Sequence, residues 1–347
     1  MRDPTRFLVV IVATALVGVG CNTEAPVAPE ETLPSGIEGG PTRVVDAANA
    51  DLLVTGLQGA SGSTIGPGRQ LYVTEGAAGR ISRVDPTTGE VTTFASGLPT
   101  SIIGIGGAID VAFIGKTAYV LVTLVGSDVG GSDVVGIYRV DGPNSFTPIA
   151  NIGAFALGNP PSTPFDLPTG VQYALETFQG EFLVTDGHHN RVLRVTRDGE
   201  VSEFRAFGNI VPTGLDVRGN TVYMALAGPA PHLPEDGRIV SFSPRSSGVT
   251  EVAAGARLNV DAEVGRGLTL YGLSQGVWDG AFPGSPALPN TGALMEVNGD
   301  GTFTVVTDGL NQPTSLEVIG NTVYVVTLGG EIWRIDDVSG PPFGASR

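Results

Sequence analysis

Residues 71–85 read LYVTEGAAGRISRVD, an apolar strand with one aromatic residue, a short turn, and a second strand that ends in Arg-Val-Asp. Related pairs recur along the chain. The first strands are Leu71-Tyr72-Val73, Ala118-Tyr119-Val120, Phe182-Leu183-Val184, Val222-Tyr223-Met224, Leu270-Tyr271-Gly272 and Val323-Tyr324-Val325. Five repeats separate Tyr72 from Tyr324, so the unit is about 50 residues long, which suits one four-stranded propeller blade. The sequence therefore predicts six blades.

The two ends of the chain predict how this ring closes. Five repeats contain a fourth strand, for example at residues 91–95, 201–204, 249–253 and 303–307. The sixth repeat runs instead into Gly340-Pro341-Pro342. Residues 51–57 (DLLVTGL) match residues 303–310 (FTVVTDGL) in apolar pattern and in their Gly-Leu ending. We expect residues near 51–55 to complete the last blade, which removes the free strand edges of an open array.

Composition agrees with a single all-β domain. The 51 glycines and 25 prolines supply turn residues, and 41% of the 347 residues are apolar and can form a core. Beyond residue 20, no segment shows sustained helical periodicity. The predicted fold is an all-β, six-bladed β-propeller over residues 42–338, closed by an N-terminal strand and followed by a C-terminal tail at residues 339–347.

The N-terminus has the pattern of an export signal. Arg2 and Arg6 precede an apolar run over residues 7–20, and Cys21 follows. The run is shorter than the roughly 20 residues of a membrane-spanning helix, so we interpret residues 1–20 as a signal peptide. It resembles a bacterial lipoprotein signal, which implies that Cys21 carries the lipid. The alternative is an ordinary signal peptide cut near residue 20, in which Cys21 has no role.

Both interpretations predict export to the cell envelope, either the periplasm or the cell surface. Residues 21–41 are rich in Pro, Glu and Gly, and we expect them to form a disordered tether to a membrane anchor. Because Cys21 is the only cysteine of the chain, the predicted propeller has no internal disulfide and no cysteine-based metal site.

The charge of the chain bears on its partners. Without residues 1–20, 17 basic and 34 acidic side chains remain. This balance argues against nucleic acid as a partner, because binding a phosphate backbone requires positive charge. The acidic surplus either attracts divalent cations or is solvated surface.

The inner strands of a propeller converge on its central channel, so acidic residues there are candidate ligands. Positions nine and seven residues before the aromatic anchor share one face of the strand, and they include Asp110, Asp216 and Glu317. The fifth blade adds Asp261 and Glu263 in a slipped register. Ca²⁺ takes oxygen ligands from several elements and would compensate such clustered carboxylates. The alternative is that these acids accept hydrogen bonds from backbone amides at the blade ends.

Three asparagines stand just ahead of inner strands. Asn209, Asn259 and Asn311 precede the fourth, fifth and sixth inner strands. They are either further metal ligands at the mouth of the channel or ordinary turn residues, a common use of asparagine.

Two adjacent histidines lie between two strands of the third blade, in a turn that contains Asp186, His188, His189, Asn190 and Arg191. A histidine pair beside acids could supply a general base for lactone or ester hydrolysis. The segment also resembles the turn of NHL repeats, in which Asp, Asn and Arg brace the hairpin and the intervening residues face solvent. We favour bracing.

The remaining sequence carries no recognisable catalytic motif. His232, the third histidine, lies in the proline-rich segment 229–234 and is interpreted as a loop residue. No His-Glu-x-x-His pair occurs, and the letters Gly-x-Ser-x-Gly occur at residues 272–276 without the strand-to-helix context of a nucleophile elbow.

The order of several segments resembles the ScyD/ScyE family of exported bacterial propellers, which are related to NHL and gluconolactonase-like six-bladed propellers. The segments are residues 71–85, 108–113, 149–155, 182–186 and 211–215. The resemblance covers roughly residues 50–336 and implies the propeller fold.

Two functions remain open from the sequence. One is a tethered binding or scaffold propeller, whose loops recognise a protein, a glycan or a small molecule. The other is a Ca²⁺-dependent lactonase or esterase that uses the central channel. The hydrolase pattern requires a Glu, two Asn and an Asp around one ion, and strand register does not assemble that quartet here. We therefore favour binding.

Overall fold

A computed structural model describes residues 50–162, 165–282 and 284–338. The predicted signal peptide with Cys21, the tether and the C-terminal tail lie outside the described residues. Within those residues, no helix has the length and apolar character needed to cross a membrane.

Twenty-four strands in the described part of the chain form six four-stranded antiparallel sheets, which are the blades of a propeller. Blades one to three comprise β2 (Ala60–Ile65), β3 (Leu71–Glu75), β4 (Arg80–Val84) and β5 (Val91–Ser96); β6 (Gly107–Ile114), β7 (Thr117–Thr123), β8 (Gly136–Gly142) and β9 (Ser145–Asn151); β10 (Gln172–Phe178), β11 (Glu181–Asp186), β12 (Arg191–Val195) and β13 (Val201–Ala206). Blades four to six comprise β14 (Pro212–Arg218), β15 (Thr221–Leu226), β16 (Arg238–Phe242) and β17 (Val249–Ala254); β18 (Asn259–Val264), β19 (Leu270–Ser274), β20 (Gly292–Val297) and β21 (Phe303–Leu310); β22 (Pro313–Ile319), β23 (Thr322–Thr327) and β24 (Ile332–Ile335) with β1 (Ala50–Val54). The predicted all-β, six-bladed architecture is confirmed.

The core lies between the blades, and this explains the recurring aromatic residue. Six apolar clusters each join two adjacent blades. The ring of Tyr72 packs 4.6 Å from Phe113 of the next blade, and Tyr119 packs 4.7 Å from Phe182. Since each sheet is covered on both faces, the second strand of a blade is largely apolar and buried rather than alternating.

The first strand closes the ring. Strand β1 pairs antiparallel with β24, with Ala50 opposite Ile335 and Val54 opposite Ile332. The Leu57 amide then donates to the Gly330 carbonyl at 3.1 Å. Gly330 has φ +84°, and a Cβ there would lie 1.9 Å from the Leu57 carbonyl oxygen, so this contact requires glycine. The closure predicted from the sequence is confirmed, with the strand beginning one residue earlier than expected.

One helix was not predicted from the sequence. Helix α1 (Ile152–Gly158) lies in the crossover between blades two and three, and the Asn151 side chain caps it by accepting from the Ala154 amide. Seven residues are too few to show helical periodicity, which is why the sequence did not reveal it.

The connections of the propeller divide between two faces. We call "upper" the face that carries the turns between second and third strands and the crossovers between blades, and "lower" the face with the other hairpins. The longest connections, residues 124–135, 152–171, 227–237 and 275–291, all lie on the upper face. Because Ala50 pairs with Ile335 at the lower end of β24, the chain enters the propeller from the lower face.

Deleting residues 42–57 should abolish cooperative unfolding of the domain. The deletion removes the partner of β24 and takes Val54 and Leu57 from the cluster between blades six and one. Thermal and urea unfolding followed by circular dichroism would measure this, with deletion of residues 26–41 as the control. A truncated protein that melts like the full chain would refute the closure.

Candidate functional site

A cavity of about 190 Å³ extends from the inner strands to the upper-face connections. All six blades line it, and the inner strands contribute Ser63, Asp110, Glu176, Gly214, Asp261, Glu263, Ser315 and Glu317. Its described lining contains neither lysine nor arginine. The cavity therefore has an acidic floor without a compensating cation in its wall.

Three aspartates of the inner strands join neighbouring blades. Each accepts a hydrogen bond from a backbone amide of the next inner strand: Asp110 from Leu175 at 2.7 Å, Asp216 from Val264 at 2.9 Å, and Asp261 from Leu316 at 2.9 Å. Asp110 and Asp261 use their other oxygen for the amide of the following residue, at 2.8 and 2.9 Å. These are contacts of the backbone-binding kind that the sequence offered as the alternative to metal binding.

Three glutamates near the same axis make no such bridge. Glu176 accepts from the amide and the hydroxyl of its own neighbour Thr177, at 2.7 and 3.0 Å, through a single oxygen. Glu263 accepts from Arg218 at 3.2 Å, also through one oxygen. Glu317 makes no side-chain hydrogen bond to any described residue. Each glutamate thus keeps at least one carboxylate oxygen without a protein donor among the described residues.

Burial raises the pKa of every acid in this group. The pKa of Glu176 rises to about 7 through desolvation and the nearby charge of Asp216, and that of Asp261 rises to about 6. Desolvation and neighbouring carboxylates hold the pKa values of Asp110, Glu263 and Glu317 well above their usual range. The Arg218 guanidinium lies on the lower side of the floor, 3.2 Å from both Asp216 and Glu263, and offsets part of the repulsion between the carboxylates. Part of the cavity floor is therefore protonated near neutral pH.

A histidine and aromatic side chains lie at the upper end of the cavity. His188 Nε2 lies 3.1 Å from the Tyr173 hydroxyl, and Phe165 stacks on the imidazole at 4.4 Å between centroids. Burial, together with nearby His232 and His189, lowers the pKa of His188 to about 4, so its imidazole is neutral at pH 7. This makes His188 a weak base.

The third-blade turn is braced as its sequence pattern suggested, although its histidines are not exposed. Asp186 accepts from Arg191 Nε at 2.9 Å, and Asn190 accepts from two backbone amides of the following crossover, both at 2.9 Å. His189 is buried, with Nδ1 3.1 Å from Asp186. The expectation that His188 and His189 face solvent is wrong, because Phe165 of the long crossover 152–171 covers both rings.

His232 is a loop residue of the connection 227–237, as expected, but it is also buried. Its Nδ1 donates to the Ala227 carbonyl at 3.1 Å, and it lines the cavity. The signal that could have identified it is its proline-rich setting, because such a segment fixes a loop in one conformation.

The three asparagines do not line the cavity. Asn209 is exposed, and the buried Asn259 donates to the Arg238 carbonyl at 3.0 Å. The side-chain oxygen of Asn311 is buried without a hydrogen-bond partner in the described structure. Nowhere among the described residues do three His, Asp or Glu side chains approach closely enough to hold one ion. The donor set therefore does not fit the Ca²⁺ site considered from the sequence.

Counting back from the aromatic anchor missed Glu176 because the aromatic residue of blade three stands one position early. Leu183, not Phe182, takes the place that Tyr119 and Tyr223 have in their blades, and it pairs with Glu176, seven residues back, as Tyr223 pairs with Asp216. A count that started from Leu183 would have identified Glu176.

Comparisons with known proteins place the fold and not the activity. No family model matches the sequence, and no curated protein matches it either. Among solved structures, it is similar to a gluconolactonase from Xanthomonas campestris (13% identity, 86% of this chain and 94% of that chain, TM-score 0.58). It is also similar to virginiamycin B lyase from Staphylococcus aureus (14% identity, 83% of this chain and 98% of that chain, TM-score 0.51). A third similar structure is a PQQ-bound aldose sugar dehydrogenase from Streptomyces coelicolor (13% identity, 83% of this chain and 97% of that chain, TM-score 0.56). At these identities the likeness shows the six-bladed propeller fold alone.

Stability should fall as pH rises from about 4.5 to 7. A buried carboxyl whose folded pKa is raised binds its proton more tightly in the folded state, so that stabilisation is complete below the unfolded pKa and is lost as pH passes the folded one. For Glu176, raised to about 7, the effect is on the order of 3 kcal/mol. Urea unfolding across this range should show a shallower slope for Glu176→Gln, with the exposed Glu90→Gln as control. An unchanged slope would contradict the burial assigned to Glu176.

Proposed function

We propose that this protein is an exported binding propeller of the ScyD/ScyE type, anchored at the cell envelope through Cys21, that captures a small ligand in its upper-face cavity. The main support is that the aspartates of the channel have a structural role in joining neighbouring blades. Asp110, Asp216 and Asp261 direct carboxylate oxygens to amides of the next blade, which is a structural task. The cavity remains as a preformed concave site, the usual form of a ligand pocket.

The histidine at the upper end of the cavity is poorly suited to act as a general base in hydrolysis. A general base works best with a pKa near the operating pH, whereas the pKa of His188 is lowered to about 4. Its Nε2 is also occupied by Tyr173. Among the lining serines, Ser285 donates its hydroxyl to Asp279, whose pKa is lowered by hydrogen bonds, so that this carboxylate is a weak base. The acids with raised pKa values lie on the floor of the cavity, and Glu176, with a pKa of about 7, is the one that supports a hydrolytic role.

A Ca²⁺-dependent lactonase or esterase is the second candidate. It is favoured by the acidic floor and by the fold shared with a gluconolactonase. It predicts that chelation with EDTA lowers the melting temperature, that Ca²⁺ restores it, and that Asp216→Asn weakens the Ca²⁺ effect.

A bulky side chain at the cavity mouth should abolish ligand binding. The unaltered protein should show no hydrolytic turnover. Ile105 lines the cavity, whereas Ile103 of the same connection is 50% exposed and does not. A thermal-shift panel of small ligands should contain stabilising compounds that lose their effect with Ile105→Trp and keep it with Ile103→Trp. Assays with simple lactones and nitrophenyl esters, with Ca²⁺ or with EDTA, should give background rates. Ca²⁺-dependent hydrolysis lost with Ile105→Trp would establish the second candidate instead.

The anchor has its own test. Cys21→Ala should move the protein from the membrane fraction to the soluble fraction after export, because the thiol is the attachment point of the lipid. Cys21→Ser provides a closer isostere with the same expected result. A variant that stays with the membrane would show that Cys21 does not hold the anchor.

A further inference from the structure

The two faces of the propeller differ in charge. Among the described residues, the upper-face connections carry seven acidic side chains, Asp128, Asp133, Asp166, Glu235, Asp236, Asp279 and Glu331. The same connections carry one basic side chain, Arg257. The lower-face connections carry five basic side chains, Arg69, Lys116, Arg197, Arg245 and Arg266, together with seven acidic ones. A cation approaching the cavity from above therefore meets mainly negative charge, which favours its encounter with the mouth.

The walls of the cavity are apolar above the acidic floor. Ile105, Ile109, Val171, Leu215, Leu258 and Val260 contribute to them. Tyr173 and His188 add aromatic rings at the upper end. The cavity therefore offers hydrophobic contact to the body of a ligand and negative charge to one end of it.

The glutamates of the floor provide acceptors that the fold itself does not use. Glu317, which is enclosed in the cavity wall, has no hydrogen-bond donor among the described residues, and Glu176 and Glu263 each keep one free oxygen. These three glutamates are half-buried in the cavity wall, and a bound N–H donor would supply the hydrogen bonds that their free oxygens lack within the protein. The neighbouring aspartates are already satisfied by backbone amides.

The spacing of these carboxylates decides the kind of cation. No three acidic or histidine side chains in the described chain stand close enough to surround one metal ion. Ca²⁺ takes about six to eight oxygen ligands, whereas an ammonium group can be held by a charge-assisted hydrogen bond to a single carboxylate. A floor on which no three such side chains converge therefore suits an ammonium ion better.

We propose that the cavity binds an organic ammonium ion with an apolar body, its nitrogen directed to Glu317, with Glu176 and Glu263 on the same floor, and its body against the apolar walls. This inference rests on the proposed binding function and specifies the ligand class. The ammonium ion supplies the positive charge that the cavity wall lacks. An inorganic cation of the same charge has no apolar body to contact the walls and therefore fits the cavity less well.

Binding is coupled to proton release. In the free protein part of the floor is protonated, and a bound cation favours the ionised carboxylates. The groups that face the floor are Asp110, Asp216 and Asp261 beside it, Arg218 below it, and His188 and His232 above it. Both histidines are hydrogen-bonded above the floor, and the ammonium nitrogen is directed to the glutamates, so the glutamates dominate the change. Affinity for the cation therefore rises with pH.

Calorimetry with matched probes tests the ligand class. The probes are 2-phenylethylammonium and 4-phenylbutylammonium, each paired with the alcohol and the carboxylate of the same skeleton, and CaCl₂ alone. At pH 7.5 the ammonium probes should bind at least tenfold more tightly than the alcohols, the carboxylates should not bind, and affinity should fall at pH 5.5. Equal affinity for alcohol and ammonium, or preference for the carboxylate or Ca²⁺, would overturn the proposal.

Variants locate the charge contact. Glu317→Gln should weaken ammonium binding at least tenfold and leave binding of the alcohol unchanged, whereas Glu90→Gln on the lower face should change neither. Glu176→Gln provides a second test should Glu317→Gln fail to fold, as judged by its melting curve. Unchanged ammonium affinity in the folded glutamine variant would contradict the assignment.

The outcomes distinguish failure of the proposed ligand class from failure of the proposed binding function. If the ammonium probes fail while other ligands still stabilise the protein in a manner blocked by Ile105→Trp, the ligand class is wrong and the binding function stands. If Ca²⁺-dependent turnover is found, the binding function itself is wrong.

Discussion

The pairing of β1 with β24 is the contact on which the ring depends, because it joins the two ends of the chain in one sheet. Each of the other blades is continuous in sequence, and the core lies between blades rather than within them. Opening a single seam would leave two apolar blade faces without neighbours. The contacts across this seam include backbone pairing, the Leu57 to Gly330 hydrogen bond and the Ser63 to Ser315 hydroxyl contact at 2.8 Å. The seam is therefore held both at its edge and near the axis.

Acidic side chains near the axis divide by length into two roles. The short side chain of aspartate keeps its carboxylate close to the backbone, where it can accept from an amide of the adjacent inner strand. Three aspartates do so. The glutamates carry their carboxyl groups further from the backbone, and none of the three accepts an amide from another blade. Burial and, after it, the neighbouring carboxylates raise their pKa values, and in our proposal the same clustered carboxylates give the cavity its selectivity for positive ligands. Aspartates that join the blades and glutamates that are proposed to bind the ligand thus lie near one another on the inner strands.

Repetition made the fold predictable from the sequence. Each blade repeats an aromatic anchor because each must pack against the next, and the missing fourth strand of the last repeat revealed the closing strand at Ala50–Val54. The candidate site was less predictable, because the anchor position of blade three is Leu183 rather than an aromatic residue, so a count from the aromatic residues passed over Glu176. The covering of His188 and His189 depends on a long crossover, whose tertiary contacts no local pattern records.

The point at which the chain enters the propeller has a practical consequence. Ala50 lies at the lower face, whereas the cavity extends towards the upper connections. A support, dye or reporter domain attached through the N-terminal segment therefore joins the propeller on the side away from the mouth. The protein is suited to oriented immobilisation on a sensor chip, where every copy would leave its cavity accessible to the analyte.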